Sequence, residues 1–407
     1  MSAKTLFNKL FKGGMPAIIG SAFTAIVPLL GRFYLQDDHY AIWALAATLT
    51  TIFIVFDFGT SALATKLAAS GQLTQPVFVR LCIIGVSAIC SMAGIACLIW
   101  PYYRTISGLT SVGMLGVVFL FACIAIGTCL RCFGLVSAAV ALGRGEFKRR
   151  GNIFLIGACV QASCTFLFLE IGLGIYSLGY ALILSGACQA IFCTIARTKF
   201  DAVKVDQAEV THLIWNFVKT KGLITLLGLI TTQLDRWALG IVASPSLLAH
   251  YDLVNRIATI PKVALLAFGS GLVAAAHHAQ SDRELKSLYR SSLSLNVGAS
   301  VACAIAAGGI SYYLTRNEGF LWLVFVVTIA QSINGMTIAP TMILAGIGRP
   351  QVELHYIIPL TCFSMLAYFM GVYLSNGVVL IVGWSVSMVV LSMWFLYLSG
   401  KYIVKRA

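Results

Sequence analysis

Apolar runs of about 20 residues, the length a helix needs to cross the hydrocarbon of a bilayer, recur along the chain almost from end to end. The pattern predicts helices at roughly 13–35, 40–65, 77–100, 111–141, 152–171, 175–196, 217–243, 246–276, 291–315, 319–345, 354–374 and 377–399. These are about twelve spans joined by short polar connections, with no room left for a soluble domain. The longest polar stretch, from Arg197 to about Asn216, separates six spans from six. The expected fold is an all-α polytopic membrane protein: an N-terminal six-helix bundle over 1–200, a linker with an interfacial helix over 201–216, and a C-terminal six-helix bundle over 217–407.

A repeat is visible across the linker. His39-Tyr40 opens the second span and His250-Tyr251 the eighth, and Phe58-Gly59-Thr60 returns as Phe268-Gly269-Ser270. Gly143-Arg144 is matched by Gly348-Arg349, and Gly179-Tyr180 by Gly383-Trp384, in the same order. Because each half holds an even number of spans, both start on the same side and form parallel repeats, with a solute path expected between them. Leu6, Phe7, Leu10 and Phe11 alternate with Lys4, Lys9 and Lys12, as an interfacial helix would, and Val210 to Val218 does something similar. Pro16, Pro28, Pro261, Pro340 and Pro359 fall inside or at the ends of spans, where they allow bends.

Composition agrees with the pattern: of 407 residues, 59% are hydrophobic and only 10% charged, and the mean hydropathy is +0.91. A net charge of +14 in a soluble protein would raise nucleic-acid binding, but here it reports topology. Assigning connections alternately places 21 of the 28 Lys and Arg residues on one side and 3 (Arg32, Arg104 and Arg316) on the other. Both termini are therefore expected in the cytoplasm. All 12 cysteines fall within spans, as small apolar fillers do, so no disulfide framework is expected. Cys129 and Cys132 form a lone CxxC without a second ligand pair, and His277-His278 diverge on a helix, so no metal site is expected. The chain has no GxxxxGK[ST] loop, and energy would come from a gradient or from the solute itself.

The remaining charges are the informative ones. Arg131, Arg236, Arg256 and Lys262, with Asp57, Asp235 and Asp252, lie within spans, where an ionisable group normally faces protein or a wet cavity and marks a solute pathway. Ala243-Ser244-Pro245 joins spans seven and eight as a hairpin. Asp235 lies 10 residues before Pro245 and Arg256 11 after it, so both sit about 15 Å below the turn, near mid-membrane. An Asp235–Arg256 bridge is one expectation and an Asp252–Arg256 pair, four residues apart on one helix, is the competing one; Arg236 points about 100° away from Asp235. Asp57 is a charge partner of Arg131 or Lys262, or a site for a proton or another coupling cation. Four bases against three acids leave +1 inside the membrane, with Arg32 adding charge near the outer mouth. A cationic, mixed lumen suits an anionic solute.

The sequence resembles the multidrug/oligosaccharidyl-lipid/polysaccharide (MOP) exporter superfamily, and within it the Wzx-type flippases of bacterial surface polysaccharides. The resemblance is carried by Tyr40 through Asp57-Phe58-Gly59, by Gln233-Leu234-Asp235-Arg236, by Tyr251 to Asn255-Arg256 with Tyr289, and by Gly346-Ile347-Gly348-Arg349. It implies two six-helix bundles in a V that alternately open a cavity to either side of the bacterial inner membrane. The implied substrate is an undecaprenyl-diphosphate-linked oligosaccharide repeat unit, of O-antigen or related polysaccharide. It would be carried to the periplasmic leaflet by a monomer working beside a polysaccharide polymerase and a chain-length regulator. Arg32, Arg131, Arg236, Arg256 and Lys262 would hold the diphosphate, and Gln233, Asn255 and Trp237 the sugars, with the acyl chain left in membrane lipid. No cofactor, metal or nucleic acid is implied. The alternatives are a drug or metabolite exporter of the same superfamily, which Asp57 keeps open, and a membrane-embedded glycan polymerase or transferase. The short external connections oppose the enzyme.

Overall fold

The computed structural model describes residues 15–16, 19–20, 23–24, 26–55, 60–69, 71–195, 226–277, 282–315, 321–347 and 349–404. Among these there is no strand. The helices are α1 (26–34), α2 (Asp37–Val55), α3 (Thr60–Ala69), α4 (Gln75–Ser107), α5 (Met114–Gly143), α6 (Phe147–Glu170), α7 (Ser177–Ile195), α8 (226–242), α9 (Pro245–His277), α10 (Asp282–Thr315), α11 (Leu321–Gly335), α12 (Ile338–Gly346), α13 (Leu354–Tyr373) and α14 (Gly377–Val404). Eight helical stretches are long and apolar enough to cross a membrane by length and composition. Counting α2 with α3 as one segment and α11 with α12 as another gives twelve helical segments among the described residues, the number of spans expected from sequence.

The described chain falls into two compact units, which divide between Leu229 and Ile230, inside α8. The linker predicted at 201–216 lies outside the described residues, as do the N-terminal interfacial helix, Asp57 and the Phe58-Gly59 pair.

In the N-terminal unit, α5 is the central helix, packed against α2, α3, α4, α6 and α7. It reaches α7 closely because glycines meet there. A Cβ on Gly127 would stand 2.6 Å from the Leu182 carbonyl carbon, and one on Gly186 would stand 2.4 Å from the Gly127 oxygen. With no hydrophobic effect between helices in lipid, such backbone approach is a main source of association. Trp100 fills the same unit, stacked on Tyr103 and edge-on to Phe121, with centroids 5.7 and 5.5 Å away. The CxxC residues diverge: Cys129 Sγ lies 3.9 Å from Cys90 Sγ, whereas Cys132 is buried against Gly85. All twelve cysteines are free thiols.

In the C-terminal unit, α9 packs against α10, α11 and α12, and α13 pairs with α14. The hairpin between α8 and α9 turns where the sequence predicts. Ser244 Oγ accepts the Leu247 amide at 3.2 Å, and Pro245 takes the first helical position, where a missing N–H costs nothing. The α13–α14 turn is capped similarly by Asn376 Oδ1, which accepts from the Val378 and Val379 amides at 2.9 and 3.3 Å.

The span predicted as continuous over roughly 319–345 is broken. Between α11 and α12 the Asn334 carbonyl accepts the Thr337 amide at 3.1 Å and its hydroxyl at 2.7 Å, closing a tight turn. Pro340 then sits in the first turn of α12, where it starts a helix rather than bending one. Hydropathy is continuous across this break, so the apolar pattern does not reveal it.

Candidate functional site

The hairpin of α8 and α9 brings Asp235, Arg236, Asp252 and Arg256 into one ionic cluster inside the C-terminal unit. Both carboxylates are fully buried. Asp252 is the hub: its Oδ1 accepts Arg236 Nε at 2.6 Å, and its Oδ2 accepts Arg256 Nε at 2.7 Å. Asp235 Oδ2 accepts the Tyr251 hydroxyl at 2.6 Å and Asn255 Nδ2 at 3.3 Å, while Oδ1 faces Arg236 Nη1 at 3.5 Å.

Of the two pairings expected for Arg256 the structure has the one within α9, and Arg236 meets Asp235 despite the angle between them. Arg256 pairs with Asp252 one turn before it, and not with Asp235, because equal depth on two helices does not give equal azimuth, whereas a spacing of four residues on one helix gives both. Arg236 and Asp235, whose Cα–Cβ bonds point apart, still meet. The guanidinium folds back to donate from Nη1 to the Thr232 carbonyl at 3.1 Å and to Gln233 Oε1 at 3.2 Å, while Nε crosses to α9. The cluster thus holds two acids and two bases and is neutral as a set.

Neutral partners complete it. Gln331 Nε2, from α11, donates to Asn255 Oδ1 at 2.7 Å. Behind Asp235, the Thr231 carbonyl accepts both the Tyr368 hydroxyl at 2.9 Å and Trp384 Nε1 at 3.1 Å, fastening α8 to α13 and α14. Trp384 also meets Tyr251 edge-on, with centroids 6.2 Å apart.

The other predicted site residues lie apart from this cluster. Arg32 pairs with Asp37 at 2.5 Å and lies 5.8 Å from the Tyr40 ring centre, so its charge is offset. Arg131, on α5 in the N-terminal unit, donates from Nη1 to Gln161 Oε1 at 3.4 Å, and its buried Nε has no partner among the described residues. Lys262, on α9, donates to Asn334 Oδ1 at 2.5 Å. Neither has a carboxylate within ion-pair distance among the described residues. Gln161, Gln331, Asn334, Tyr356 and Ser392 are participants that the search for charges passes over; an amide inside an apolar span is the signal that finds the first three.

The fold and the site define a multi-pass, all-helical membrane protein whose Arg131 and Lys262 have no carboxylate within ion-pair distance among the described residues. Solved structures share this fold. A mutant of the Vibrio cholerae MATE transporter VcmN is 13% identical with a TM-score of 0.71, covering 99% of this chain and 98% of its own. A MOP superfamily transporter from Pyrococcus furiosus is 14% identical with a TM-score of 0.70, covering 97% and 96%. An inward-facing multidrug resistance MATE family transporter of the MOP superfamily is 15% identical with a TM-score of 0.64, covering 100% and 96%. A comparison with curated proteins gave no match. The model of a family described as polysaccharide biosynthesis protein matches residues 29–312, and the chain belongs to that family.

Proposed function

We propose that the protein is a flippase for undecaprenyl-diphosphate-linked oligosaccharide repeat units, carrying them from the cytoplasmic to the periplasmic leaflet of a bacterial inner membrane by alternating access. The observation that carries this reading is the surplus of cation. Asp235 and Asp252 neutralise Arg236 and Arg256, whereas Arg131 and Lys262 have no carboxylate among the described residues. A cation kept inside a span without an anion is costly unless an anionic solute visits it, and a diphosphate is the anion that polysaccharide biosynthesis moves on a lipid. Arg131 offers a planar donor fork and Lys262 a point charge, both suited to charge-assisted bonds with phosphate oxygens. The ionic cluster around Asp252 is assigned to holding α8 against α9, with Gln233 and Asn255 as its neutral partners. Both termini lie in the cytoplasm, and the carrier works as a monomer beside a polymerase and a chain-length regulator.

Reconstitution with a fluorescent undecaprenyl-diphosphate oligosaccharide tests this. Flipping is expected to expose the sugar to an external lectin, and Arg131→Ala is expected to slow it at least about tenfold, the loss of one charge-assisted phosphate contact. Correct insertion without flipping, together with export of a soluble cation, would assign the protein to the drug exporters instead.

A further inference from the structure

Lys262 differs from the other intramembrane bases in how it is held. Its Nζ donates to the amide oxygen of Asn334 and touches no other polar group among the described residues. Asn334 has no freedom to turn, because its Nδ2 is committed to the Tyr356 hydroxyl at 2.5 Å and to Ser392 Oγ at 3.2 Å, and these two oxygens stand 3.1 Å apart. The amide oxygen therefore always faces the lysine. A carbonyl oxygen accepts an N–H from an amine and from an ammonium alike, so this cradle keeps Lys262 in place in either charge state.

No carboxylate lies within ion-pair distance of Lys262 among the described residues, and the acid on the far side of its cradle is Glu353, in the turn before α13, whose charge acts on Tyr356. On α9 itself Arg256 is committed to Asp252. Neither α11 nor α12 carries a charged residue. On α13 the titratable side chain entering the cluster is Tyr356, through Asn334. Glu284, Lys286 and Arg290 lie in the first third of α10, and Lys401 in the last turn of α14. From α8, Asp235 and Arg236 are satisfied within their own network. An ammonium away from water needs an anion beside it. An arginine keeps its proton throughout the range a cell reaches, whereas a lysine can exchange it.

We propose that Lys262 couples proton uptake to the binding of the anionic headgroup: the empty site gives up the Lys262 proton more readily than the occupied one, and where it has done so a phosphate oxygen enters together with a proton to give an ammonium paired with an anion. This rests on the flippase reading above and adds to it a proton bound with each substrate. By reciprocity the ligand strengthens proton binding by the factor by which protons strengthen ligand binding. Affinity then falls as pH rises through the range in which the empty site gives up its proton.

The test is calorimetric titration of the full-length protein in nanodiscs with a short-chain polyprenyl diphospho-sugar, whose diphosphate diester keeps a constant charge in the neutral range. Repeating it in buffers of different ionisation enthalpy counts the protons taken up. Over a series of rising pH, wild-type protein is expected to take up an increasing fraction of a proton per ligand, approaching one, whereas the binding that Lys262→Arg retains is accompanied by none. Asn334→Asp, which places a permanent carboxylate beside the lysine, is expected to abolish uptake and weaken binding. Binding by wild type with no proton uptake, or uptake unchanged in Lys262→Arg, overturns the coupling while leaving the flippase assignment standing. Absence of any binding by wild type removes that assignment and the coupling with it.

Discussion

Asp252 is the residue on which the C-terminal unit's charges depend, since one buried carboxylate serves two guanidinium groups. Replacing it by Asn strands both, and the expected loss is about 3–5 kcal/mol, the usual consequence of breaking a buried pair from one side. Asp235→Asn is expected to cost less, because Tyr251 and Asn255 are uncharged donors and Arg236 keeps Asp252. Thermal unfolding of the purified variants decides this; a larger loss at Asp235 would put the hub in the wrong place. At this scale the sequence shows which charges are buried but not how they pair. Charged residues in an apolar span are conspicuous, and Asp252–Arg256 follows from helical spacing alone. The reach of Arg236 across the hairpin, and the amides Gln161, Gln331 and Asn334 that meet the charges, depend on the rotation of one helix against another, which hydropathy does not encode.

Among the elements, α5 and α7 are held by the absence of side chains. Gly127→Val would drive a branched Cβ into the backbone of Leu182 and Ile183, 2.6 and 2.7 Å from the Gly127 Cβ position. Forcing the helices apart is expected to cost about 1–3 kcal/mol and to lower the unfolding temperature accordingly. Gly94→Ala on α4, where nothing lies within 4 Å of the added atom, is the control; removing a mid-helix glycine there is expected to leave stability equal or slightly higher. A matching loss in both variants would show that the loss at Gly127 does not come from its contact with α7. The existence of the spans is legible in the sequence because twenty apolar residues in a row have few other uses. Their interruptions are less so: the turn at Met336-Thr337 is written in one carbonyl and one hydroxyl within an apolar stretch. Tyr40 near the start of α2 and Tyr251 near the start of α9, paired in the predicted repeat, are both fully buried, but the first stacks on Trp43 of its own helix and the second meets Trp384 of α14 edge-on.

For the whole molecule, the distribution of Lys and Arg predicts an orientation that can be measured. Fusions of a cytoplasm-active fluorescent reporter to either terminus are expected to glow and fusions of a periplasm-active phosphatase to stay silent, and the reverse result at either end would refute the orientation. The described residues also show where the chain changes from one compact unit to the other: within a helix, two residues before Thr231, whose carbonyl is fastened to Tyr368 and Trp384. A boundary placed there bears on how such a gene can be cut. Two open reading frames that part at the polar stretch before α8 would each encode a bundle with whole helices, and their products could reassemble in the membrane. A gene parted at the boundary itself would cut through α8, leaving Leu226 to Leu229 on one polypeptide and the anchored remainder on the other. The unit of inheritance therefore begins upstream of the unit of packing.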